Sequence, residues 1–348
     1  MTIRFGLLGA GRIGKVHGRA IAGTAGARLV AVADAVAPAA EAIAGQYGAE
    51  VRSIEAIEAA GDIDAVVICT PTDTHADLIE RFARRAKAVF CEKPIDLDVA
   101  RVEACLKVVE ETGARLMVGF NRRFDPHFRA VRKAIDDGAV GAVEMVNITS
   151  RDPGAPPMDY IARSGGIFRD MTIHDFDMAR WLLGEEPVAV SAHAAVLTDQ
   201  AIGEAGDFDS VNVLLETASG RQAAISNSRR ATYGYDQRIE VLGSAGMVAA
   251  ENQREVSIEV ATGAGFTRPP LLDFFMTRYT AAYAAEIAAF VEGLQRGAAL
   301  SPSGRDGLLA LALADAALRS ATEGRKVQVA EVLEGAAGRG AARPSALV

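Results

Sequence analysis

Cysteine and aromatic residues are scarce in this chain, which has 3 Cys, 1 Trp and an aromatic content of 6% among 348 residues. An odd number of cysteines argues against a disulfide framework, and the spacing of Cys69, Cys91 and Cys105 matches no metal site. Cys69 and Cys91 stand in apolar, strand-like runs. We therefore predict buried free thiols in a reducing compartment and no bound metal.

The chain also lacks long apolar runs and basic clusters. No stretch approaches the roughly 18 apolar residues of a membrane span, and the N-terminus lacks the pattern of a secretory signal, which together predict a cytoplasmic protein. The formal net charge is −8, and no basic run exceeds Arg84-Arg85 followed by Lys87. Because nucleic-acid binders present a basic face, the sequence predicts neither a nucleic-acid nor a membrane partner.

What the chain does contain, up to about residue 120, is a regular alternation of short β-rich runs and helical segments. The runs are apolar throughout, which is typical of strands that are covered on both faces. They predict an α/β fold with a Rossmann-type, doubly wound parallel sheet. The predicted strands are residues 3–8, 28–33, 65–69, 88–91 and 115–119.

From Ala142 onward the pattern changes to longer strand-like runs that turn residues separate. This pattern predicts a mostly antiparallel open sheet in an α+β domain, with a helix at 172–183. Two later helices, near 283–294 and 306–322, are expected to pack back on the first domain. The predicted strands are residues 143–150, 188–197, 210–216, 222–228, 237–242 and 256–260.

The length of the chain favours about two domains rather than one core. We predict a dinucleotide-binding Rossmann domain at 1–122 and a substrate-binding and oligomerisation domain at 123–332. Residues 333–348 lack apolar periodicity and are predicted to form a loose tail.

A period-two apolar pattern in the second domain predicts a homo-oligomer. Val211, Val213 and Leu215 alternate with Asn212 and Leu214. We assign the first three to the sheet face that the domain's own helices leave open, and an apolar open face is most simply covered by a second copy of the chain.

Glycines mark a candidate nucleotide site in the segment Gly9-Ala-Gly11-Arg12-Ile13-Gly14, between an apolar strand and a helix. Gly9 permits the tight turn, Gly11 lets the backbone approach a pyrophosphate, and Gly14 allows the helix to pack closely on the strand. The helix N-terminus favours negative charge. The alternative is a plain glycine turn that binds nothing.

Asp34 stands at the end of the second predicted strand, 20 residues after Gly14. A carboxylate there can accept hydrogen bonds from both ribose hydroxyls and would repel a 2′-phosphate. The next residue is Ala35 rather than an arginine that could bind such a phosphate. The sequence therefore predicts NAD rather than NADP as the cofactor, and the alternative is a solvated carboxylate.

Thr70-Pro71 and His75 follow the strand at 65–69, at the edge of the sheet where open α/β folds bind ligands. We predict that this loop lines the nicotinamide end of the cofactor. The alternative is that Thr72 or Asp73 caps the helix that follows.

Candidate catalytic residues are Lys93 in the Glu92-Lys93-Pro94 segment, Asp170 and His174. Oxidation of an alcohol needs a base for the hydroxyl proton, and an imidazole such as His174 titrates near neutral pH. Asp170 precedes it by one helical turn and can orient it or the substrate. Lys93 can stabilise the developing alkoxide, and Glu92 and Lys93 would both lie against the cofactor. The alternative is that the Asp–His pair forms a helix cap or a core hydrogen bond.

A second set of polar residues suits a sugar-like ligand. Arg123 follows the last Rossmann strand, Asp152 follows the first strand of the second domain, and Tyr233 and Tyr235 share a glycine-containing loop. We predict that they bind the substrate. The alternatives are a solvated arginine and tyrosines that pack in the core.

Together these motifs resemble the glucose–fructose oxidoreductase and inositol dehydrogenase (Gfo/Idh/MocA) family over about residues 1–330. Within that family the chain is most similar to the inositol 2-dehydrogenases. The segments that carry the resemblance are residues 9–14, Thr70-Pro71, Glu92-Lys93-Pro94, residues 121–125 and residues 165–177.

The resemblance implies NAD as cofactor, Lys93, Asp170 and His174 as catalytic residues, and a homotetramer. It places Arg123, Asp152 and Tyr235 in a polyol site. Asp152 stands where the resemblance suggests a neutral amide, so the substrate within the family stays open among myo-inositol, scyllo-inositol, glucose and levoglucosan.

The first functional hypothesis is NAD-dependent oxidation of a cyclic polyol, myo-inositol to scyllo-inosose. An alternative is an NAD(P)-dependent sugar dehydrogenase that acts on glucose, levoglucosan or scyllo-inositol. Two further alternatives are an NAD-dependent glycosidase and a non-enzymatic nucleotide sensor. The joint presence of Lys93, Asp170 and His174 argues against the sensor.

Overall fold

The structure is a computed structural model that describes residues 1–340. The chain forms two compact units. The first comprises Met1–Asp125, Ala281–Ala312 and the residues from Val332, and the second comprises Pro126–Thr280 and Leu313–Glu331. The first unit is therefore assembled from three separate stretches of the chain.

Strands and helices alternate in the first part of the chain. They are β1 (Ile3–Leu8), α1 (Arg12–Gly23), β2 (Ala27–Ala33), α2 (Ala37–Tyr47), β3 (Glu50–Val51), α3 (Ile54–Ala59), β4 (Ala65–Ile68), α4 (His75–Arg84), β5 (Ala88–Glu92), α5 (Val99–Thr112) and β6 (Leu116–Gly119). The six strands form one parallel sheet in the order β3-β2-β1-β4-β5-β6. The predicted doubly wound sheet is confirmed, and β1 lies at the point where the strand order reverses.

The remaining elements are mostly longer strands, followed by long helices. They are α6 (Pro126–Asp136), β7 (Val143–Arg151), α7 (Met158–Ser164), α8 (Ile173–Leu183), β8 (Pro187–Ala195), α9 (Gln200–Glu204), β9 (Ser210–Thr217), β10 (Gln222–Ser228), β11 (Asp236–Gly243), β12 (Gly246–Ala250), β13 (Val260–Thr262), β14 (Gly265–Thr267), α10 (Phe275–Arg278), α11 (Thr280–Arg296), α12 (Gly304–Glu323), β15 (Val327–Gln328) and α13 (Val329–Gly340). Within residues 1–340, no helix combines the length and the apolar composition that crossing a membrane requires.

The core of the first unit joins its sheet to a late helix. Phe5 of β1 and Phe90 of β5 pack against Phe290 of α11, with ring centroids 6.1 Å and 5.8 Å apart. Ile287 and Val291 of the same helix belong to this buried cluster. Helix α11 therefore covers the Rossmann sheet, as its apolar face at 283–294 predicts.

The second unit contains a seven-stranded sheet in the order β12-β11-β7-β10-β9-β8-β15. Strands β7 and β10 run parallel, and the other neighbouring pairs run antiparallel. The predicted mostly antiparallel sheet is confirmed. Helix α8 packs on one face of it, against β7 and β10.

The two faces of β9 are the reverse of the prediction. Val211, Val213 and Leu215 are at most 2% exposed, so they point into the unit's own core, whereas Leu214 is 58% exposed. Alternation shows which residues share a face but does not show which face the helices cover. The open face exposes apolar side chains at Leu214 and at a row of three paired residues on neighbouring strands. In this row Leu242 is paired with Met145 on one side and Met247 on the other.

The predicted strand at 256–260 is wrong. Only Val260 is in a strand, where it begins β13 of a small two-stranded hairpin. Val256, Ile258 and Val260 are all about half exposed. These side chains alternate as they do in a strand, but in the described part of the chain no sheet offers a face against which they are buried.

The segment predicted as a loose tail begins within a helix. Helix α13 runs to Gly340, and Val329, Val332 and Ala336 on it are buried. This spacing of three and four residues is helical, but it ends on an alanine, which is a weak apolar signal. Residues 341–348 of the predicted tail lie outside the described part of the chain.

Candidate active site

The glycine turn after β1 has the geometry that the fingerprint predicts. Gly9 has φ +96°, and a Cβ there would lie 2.5 Å from the carbonyl oxygen of Cys69. A Cβ at Gly14 would lie 2.1 Å from the carbonyl oxygen of Gly9, so only glycine lets the helix approach the turn. Gly11 is exposed with open space around it, which leaves the backbone accessible to a phosphate.

Arg12 and Ile13 form the first turn of α1. Arg12 is exposed and Ile13 is half-buried. The backbone N–H groups at this helix N-terminus, together with the Arg12 guanidinium nearby, make the turn suitable for an anionic pyrophosphate.

Asp34 follows β2 and binds the glycine turn itself. Its Oδ2 accepts a hydrogen bond of 2.5 Å from the backbone N–H of Ala10, and its Oδ1 accepts one of 2.7 Å from that of Val36. The carboxylate that the sequence assigns to the ribose therefore also fixes the phosphate-binding turn. Each carboxylate oxygen can accept a second hydrogen bond, so capacity for ribose hydroxyls remains.

His75 links two loops instead of offering a nitrogen atom to a ligand. It is 2% exposed, its Nδ1 lies 2.8 Å from the carbonyl oxygen of Pro94, and its Nε2 lies 2.7 Å from that of Thr70. Burial lowers the pKa of His75, against the effect of these two carbonyl contacts. The imidazole contacts both the Thr70-Pro71 loop and the segment that carries Lys93, and in its neutral form it donates to one of the two carbonyl oxygens.

The capping alternative for this loop is wrong. Residues Thr72–Thr74 form a 3-10 turn, and Thr74 is the N-cap residue of α4 without a side-chain cap bond. The hydroxyl of Thr74 instead donates to the carbonyl oxygen of Pro71 at 2.7 Å. The loop is therefore stabilised by a hydrogen bond within itself. At its start, Thr70 is half-buried and Pro71 is exposed.

Glu92 ends β5 and points into the protein. Its Oε1 lies 2.6 Å from Nε2 of His17 on α1, and Glu92 is 9% exposed. Lys93, the next residue, is half-buried. The side chain of Glu92 thus anchors the strand end, which leaves Lys93 as the candidate for the chemistry.

Arg123 is paired within the first unit. Its Nη2 lies 2.9 Å from Oδ1 of Asp306 at the start of α12, and its side chain is 9% exposed. Asp306 also accepts a hydrogen bond of 2.7 Å from the backbone N–H of Ser303. The solvated alternative for Arg123 is therefore wrong, and an ion pair fixes its guanidinium.

Asp170 lies in a π-helical turn, Phe168–Thr172, that leads directly into α8 and His174. The hydroxyl of Tyr160 donates to Oδ1 of Asp170 at 2.8 Å, and Nη1 of Arg229 lies 3.4 Å from its Oδ2. His174 is half-buried in the first turn of α8. The wider π-helical turn alters the simple i, i+4 relation that the sequence predicts for this pair.

Arg229 is a buried cation of the second unit that pairs with two carboxylates. It is 1% exposed, and its Nη2 lies 3.4 Å from Oδ2 of Asp207. Oδ1 of Asp207 accepts a hydrogen bond of 2.9 Å from the backbone N–H of Ile167. Gly166 has φ +85°, and a Cβ there would lie 2.8 Å from Asp207, so this glycine makes room for the carboxylate.

The three other predicted substrate residues lie in different surroundings. Asp152 is half-buried after β7, where its backbone N–H donates to Ser228 at 2.9 Å. Tyr233 is 52% exposed, and its hydroxyl donates to Oδ2 of Asp236 at 2.5 Å. Tyr235 is 6% exposed and packs edge-on against aromatic rings.

Three residues of these arrangements were not predicted: His17, Asp207 and Arg229. His17 stands three residues after Gly14, on the face of α1 that is buried, and this was its only local signal. Arg229 and Asp207 are polar residues beside apolar strands, a pattern that is also common on surfaces. Their roles arise from contacts between distant parts of the sequence.

Comparison with known proteins follows the two units. The family model described as an oxidoreductase family with an NAD-binding Rossmann fold matches residues 3–120, and the model of the GFO/IDH/MocA C-terminal domain matches residues 128–249. An inositol 2-dehydrogenase from Rhizobium meliloti (strain 1021) is 77% identical over 330 residues, which are 95% of this chain and 100% of that protein.

Solved structures agree with this assignment. The crystal structure of a myo-inositol dehydrogenase from Corynebacterium glutamicum ATCC 13032 is 45% identical, with a TM-score of 0.91 over 94% of this chain and 99% of that one. A scyllo-inositol dehydrogenase from Lactobacillus casei, with bound cofactor NAD(H) and scyllo-inositol, is 30% identical, with a TM-score of 0.89 over 95% of this chain and 100% of that one. The chain belongs to the GFO/IDH/MocA family of oxidoreductases, and its first unit is an NAD-binding Rossmann domain.

Proposed function

We propose that the protein is an NAD-dependent inositol 2-dehydrogenase that oxidises myo-inositol to scyllo-inosose. The observation that carries the proposal is the 77% identity to an inositol 2-dehydrogenase over that protein's entire length. The glycine turn with open space at Gly11, and the carboxylate of Asp34 beside it, supply the nucleotide site that such an activity needs.

The proposed reaction assigns one task to each candidate catalytic residue. His174 accepts the proton of the reacting hydroxyl, and Lys93 stabilises the oxygen as negative charge develops on it. Asp170, held by Tyr160 and Arg229, orients the substrate or the imidazole. Bound NAD accepts the hydride that leaves the same carbon, so the products are a ketone, NADH and one proton.

Recognition of the polyol is proposed for Arg123, Asp152, Tyr233 and Tyr235. A carboxylate only accepts hydrogen bonds, so Asp152 suits a substrate that donates hydroxyls to it. A site that pairs hydroxyls rejects an analogue lacking one of them strongly, because its polar groups are then buried without partners. The proposal predicts a ring polyol and poor turnover of deoxygenated inositols.

The decisive experiment is NADH production from a panel of myo-inositol, scyllo-inositol, glucose and levoglucosan. We expect the highest kcat/KM with myo-inositol. Lys93→Ala and His174→Ala should each lower kcat by about 10²–10⁴-fold, the usual contribution of an acid–base group, while NAD binding is retained. Lys107→Ala, at an exposed lysine on α5, is the matched control.

Other outcomes of the same assay select the alternatives. A preference for glucose or levoglucosan indicates a sugar dehydrogenase, and glycoside cleavage without net NADH indicates a glycosidase. NAD binding without turnover of any polyol indicates a sensor. Full activity of either alanine variant contradicts the residue roles.

The two units are proposed to divide the work. The Rossmann domain, predicted at 1–122, binds the dinucleotide, and the α+β domain, predicted at 123–332, binds the polyol and forms the contacts between subunits. The open face of the second sheet, with Leu214 and the row Met145, Leu242 and Met247 exposed, supports a homo-oligomer, and we propose a homotetramer.

A cytoplasmic location remains part of the proposal. Its support is the state of the cysteines, because Cys69, Cys91 and Cys105 are buried free thiols. Burial raises the pKa of all three thiols, so they are kept in the unreactive protonated form.

A further inference from the structure

Three titratable side chains meet in the interior of the first unit, and one of them belongs to Glu92, the residue before Lys93. They are His17 on α1, Glu92 at the end of β5 and Glu286 on α11. His17 and Glu286 are 0% exposed. A ring nitrogen of His17 and one carboxyl oxygen from each glutamate all lie within 4.8 Å of one another. The proposed reaction assigns no role to His17 or Glu286.

The contact between His17 and Glu92 is a hydrogen bond. Nε2 of His17 lies 2.6 Å from Oε1 of Glu92, and because a carboxylate only accepts, the imidazole donates from Nε2. Two ligands of one tetrahedral zinc ion, each about 2.0–2.2 Å from the metal, would lie about 3.3 Å apart. The shorter separation therefore favours a shared proton over a metal ion between these atoms.

Glu286 has no comparable partner among the described residues. Both of its carboxyl oxygens are buried without a hydrogen bond, and the nearer one lies 4.0 Å from Nε2 of His17. An ionised carboxylate is very costly in such surroundings. Burial first, and then the negative charge of Glu92, raise the pKa of Glu286 well above the usual carboxyl range. The thiol of Cys69, which interacts with both Glu92 and Glu286, is also kept neutral by burial, which raises its pKa.

The neutrality of Glu286 has a consequence for its neighbours. Nε2 of His17 has one proton to donate, and an anionic Glu286 at 4.0 Å would compete with Glu92 for it. A neutral carboxylic acid leaves that proton to Glu92. The rings of Phe90 and Tyr283 pack edge-on against the imidazole, with centroids 5.1 Å and 5.6 Å away, and hold it in place.

We propose that His17 is a positioning residue, which fixes the end of β5 and thereby the place of Lys93, and that Glu286 permits this by remaining a neutral carboxylic acid. Glu92 is the last residue of the strand, and its bond to His17 ties that end to α1. Lys93 leaves the strand at the next position. The inference rests on the proposed function, in which Lys93 acts on the substrate oxygen.

The protonation state can be measured without turnover. The infrared difference between the wild type and Glu286→Gln at pH 8 should contain the carbonyl band of a protonated carboxylic acid. Elemental analysis of the purified wild type should find no stoichiometric metal. Absence of the band, or a bound metal that Glu286→Gln lacks, overturns the proposal, and both readouts stand even where other variants fail to fold.

Kinetics test the positioning role. Glu286→Gln keeps the shape and the neutrality, so it should retain wild-type kcat and pH profile. His17→Leu removes the hydrogen bond to Glu92, so it should lower kcat by about 10²-fold, the cost of misplacing a catalytic group by ~1 Å, while the Kd of NAD stays unchanged. Glu292→Gln, at an exposed glutamate of the same helix, is the control.

The outcomes separate this proposal from the proposed function. Undiminished kcat in His17→Leu, or an equal loss in Glu286→Gln, overturns the proposal. Full activity in Lys93→Ala contradicts the proposed function instead, and it leaves the infrared result as the evidence for a neutral Glu286.

Discussion

Asp34 shows, at the scale of a single residue, how one carboxylate can serve the protein and its cofactor together. It accepts hydrogen bonds from the backbone N–H groups of Ala10 and Val36, and so holds the glycine turn in shape. We propose that its charge also attracts ribose hydroxyls and opposes a 2′-phosphate. Loss of this side chain should therefore affect the turn and the choice of cofactor at once.

Replacement of Asp34 by serine tests this double role. Hydrogen bonds to a charged group contribute about 1.5–3 kcal/mol, so Asp34→Ser should raise the Kd of NAD by roughly tenfold or more. The ratio of kcat/KM for NADP to that for NAD should rise as well. Glu41→Gln, at an exposed acid on α2, should change neither value. Equal use of both cofactors by the wild type would contradict the role.

His75 predicts a pH dependence of stability. Burial lowers its pKa from the usual 6.5 in the folded state, so below that pH the unfolded chain binds a proton that the native protein does not yet bind. The contribution of His75 to the free energy of unfolding is therefore fully present above pH 6.5. It decreases as the pH falls below that value. His75→Gln should flatten this part of the urea-denaturation profile between pH 7 and 5, and His127→Gln, at an exposed histidine, should not.

The glycine turn could be predicted from the sequence because the residues that form it lie close together in the chain. The spacing of Gly9, Gly11 and Gly14 specifies a local turn, and the structure has that turn. His17 and Arg229 escaped prediction because their partners Glu92 and Asp170 are 75 and 59 positions away. No local pattern encodes such pairs, since only the packed fold brings them together.

Among the elements, the π-helical turn at Phe168–Thr172 contacts a buried cation, Arg229. Arg229 lies 3.4 Å from both Asp170 in that turn and Asp207 beside Gly166. Without the guanidinium, the carboxylates of Asp170 and Asp207, whose side chains are at most 14% exposed, would lose this cation. The position of His174 should change with this turn.

Removal of the cation should therefore be costly. Breaking a buried ion pair by deleting one partner costs about 3–5 kcal/mol, so Arg229→Met should lower the free energy of unfolding by that amount in urea titrations. Arg230→Met replaces the adjacent, exposed arginine and should have a much smaller effect. Equal effects of the two variants would mean that Arg229 does not support the turn.

Strand boundaries could be predicted from the sequence where the strand lies in a sheet whose faces are covered. The predicted strand at 3–8 coincides with β1, whose residues are buried in a covered parallel sheet. The predicted strand at 256–260 also contains β-forming residues, yet Val256 and Ile258 remain exposed. Propensity is local, whereas the sheet position that would reward it is set by the rest of the fold.

At the scale of the whole molecule, the open face of the seven-stranded sheet is the feature that predicts assembly. Leu214→Glu places a charge on this face and should reduce the mass measured by light scattering at micromolar concentration, because a buried unpaired charge opposes association. Leu197→Glu, at a leucine that is 70% exposed and outside the strands, is the control. A monomeric wild type would refute the proposed tetramer.

The interleaving of the two units has a consequence for how the chain is made. Phe5 and Phe90 leave the ribosome long before Phe290, which completes their cluster, because residues 126–280 of the other unit intervene. At about 5–20 residues per second, translation of that stretch takes roughly 8–30 s. During that interval the nascent Rossmann sheet lacks the helix that covers it. Its apolar face is then exposed to chaperones, which can bind it. The nucleotide-binding half is first in the sequence but becomes complete only late in synthesis.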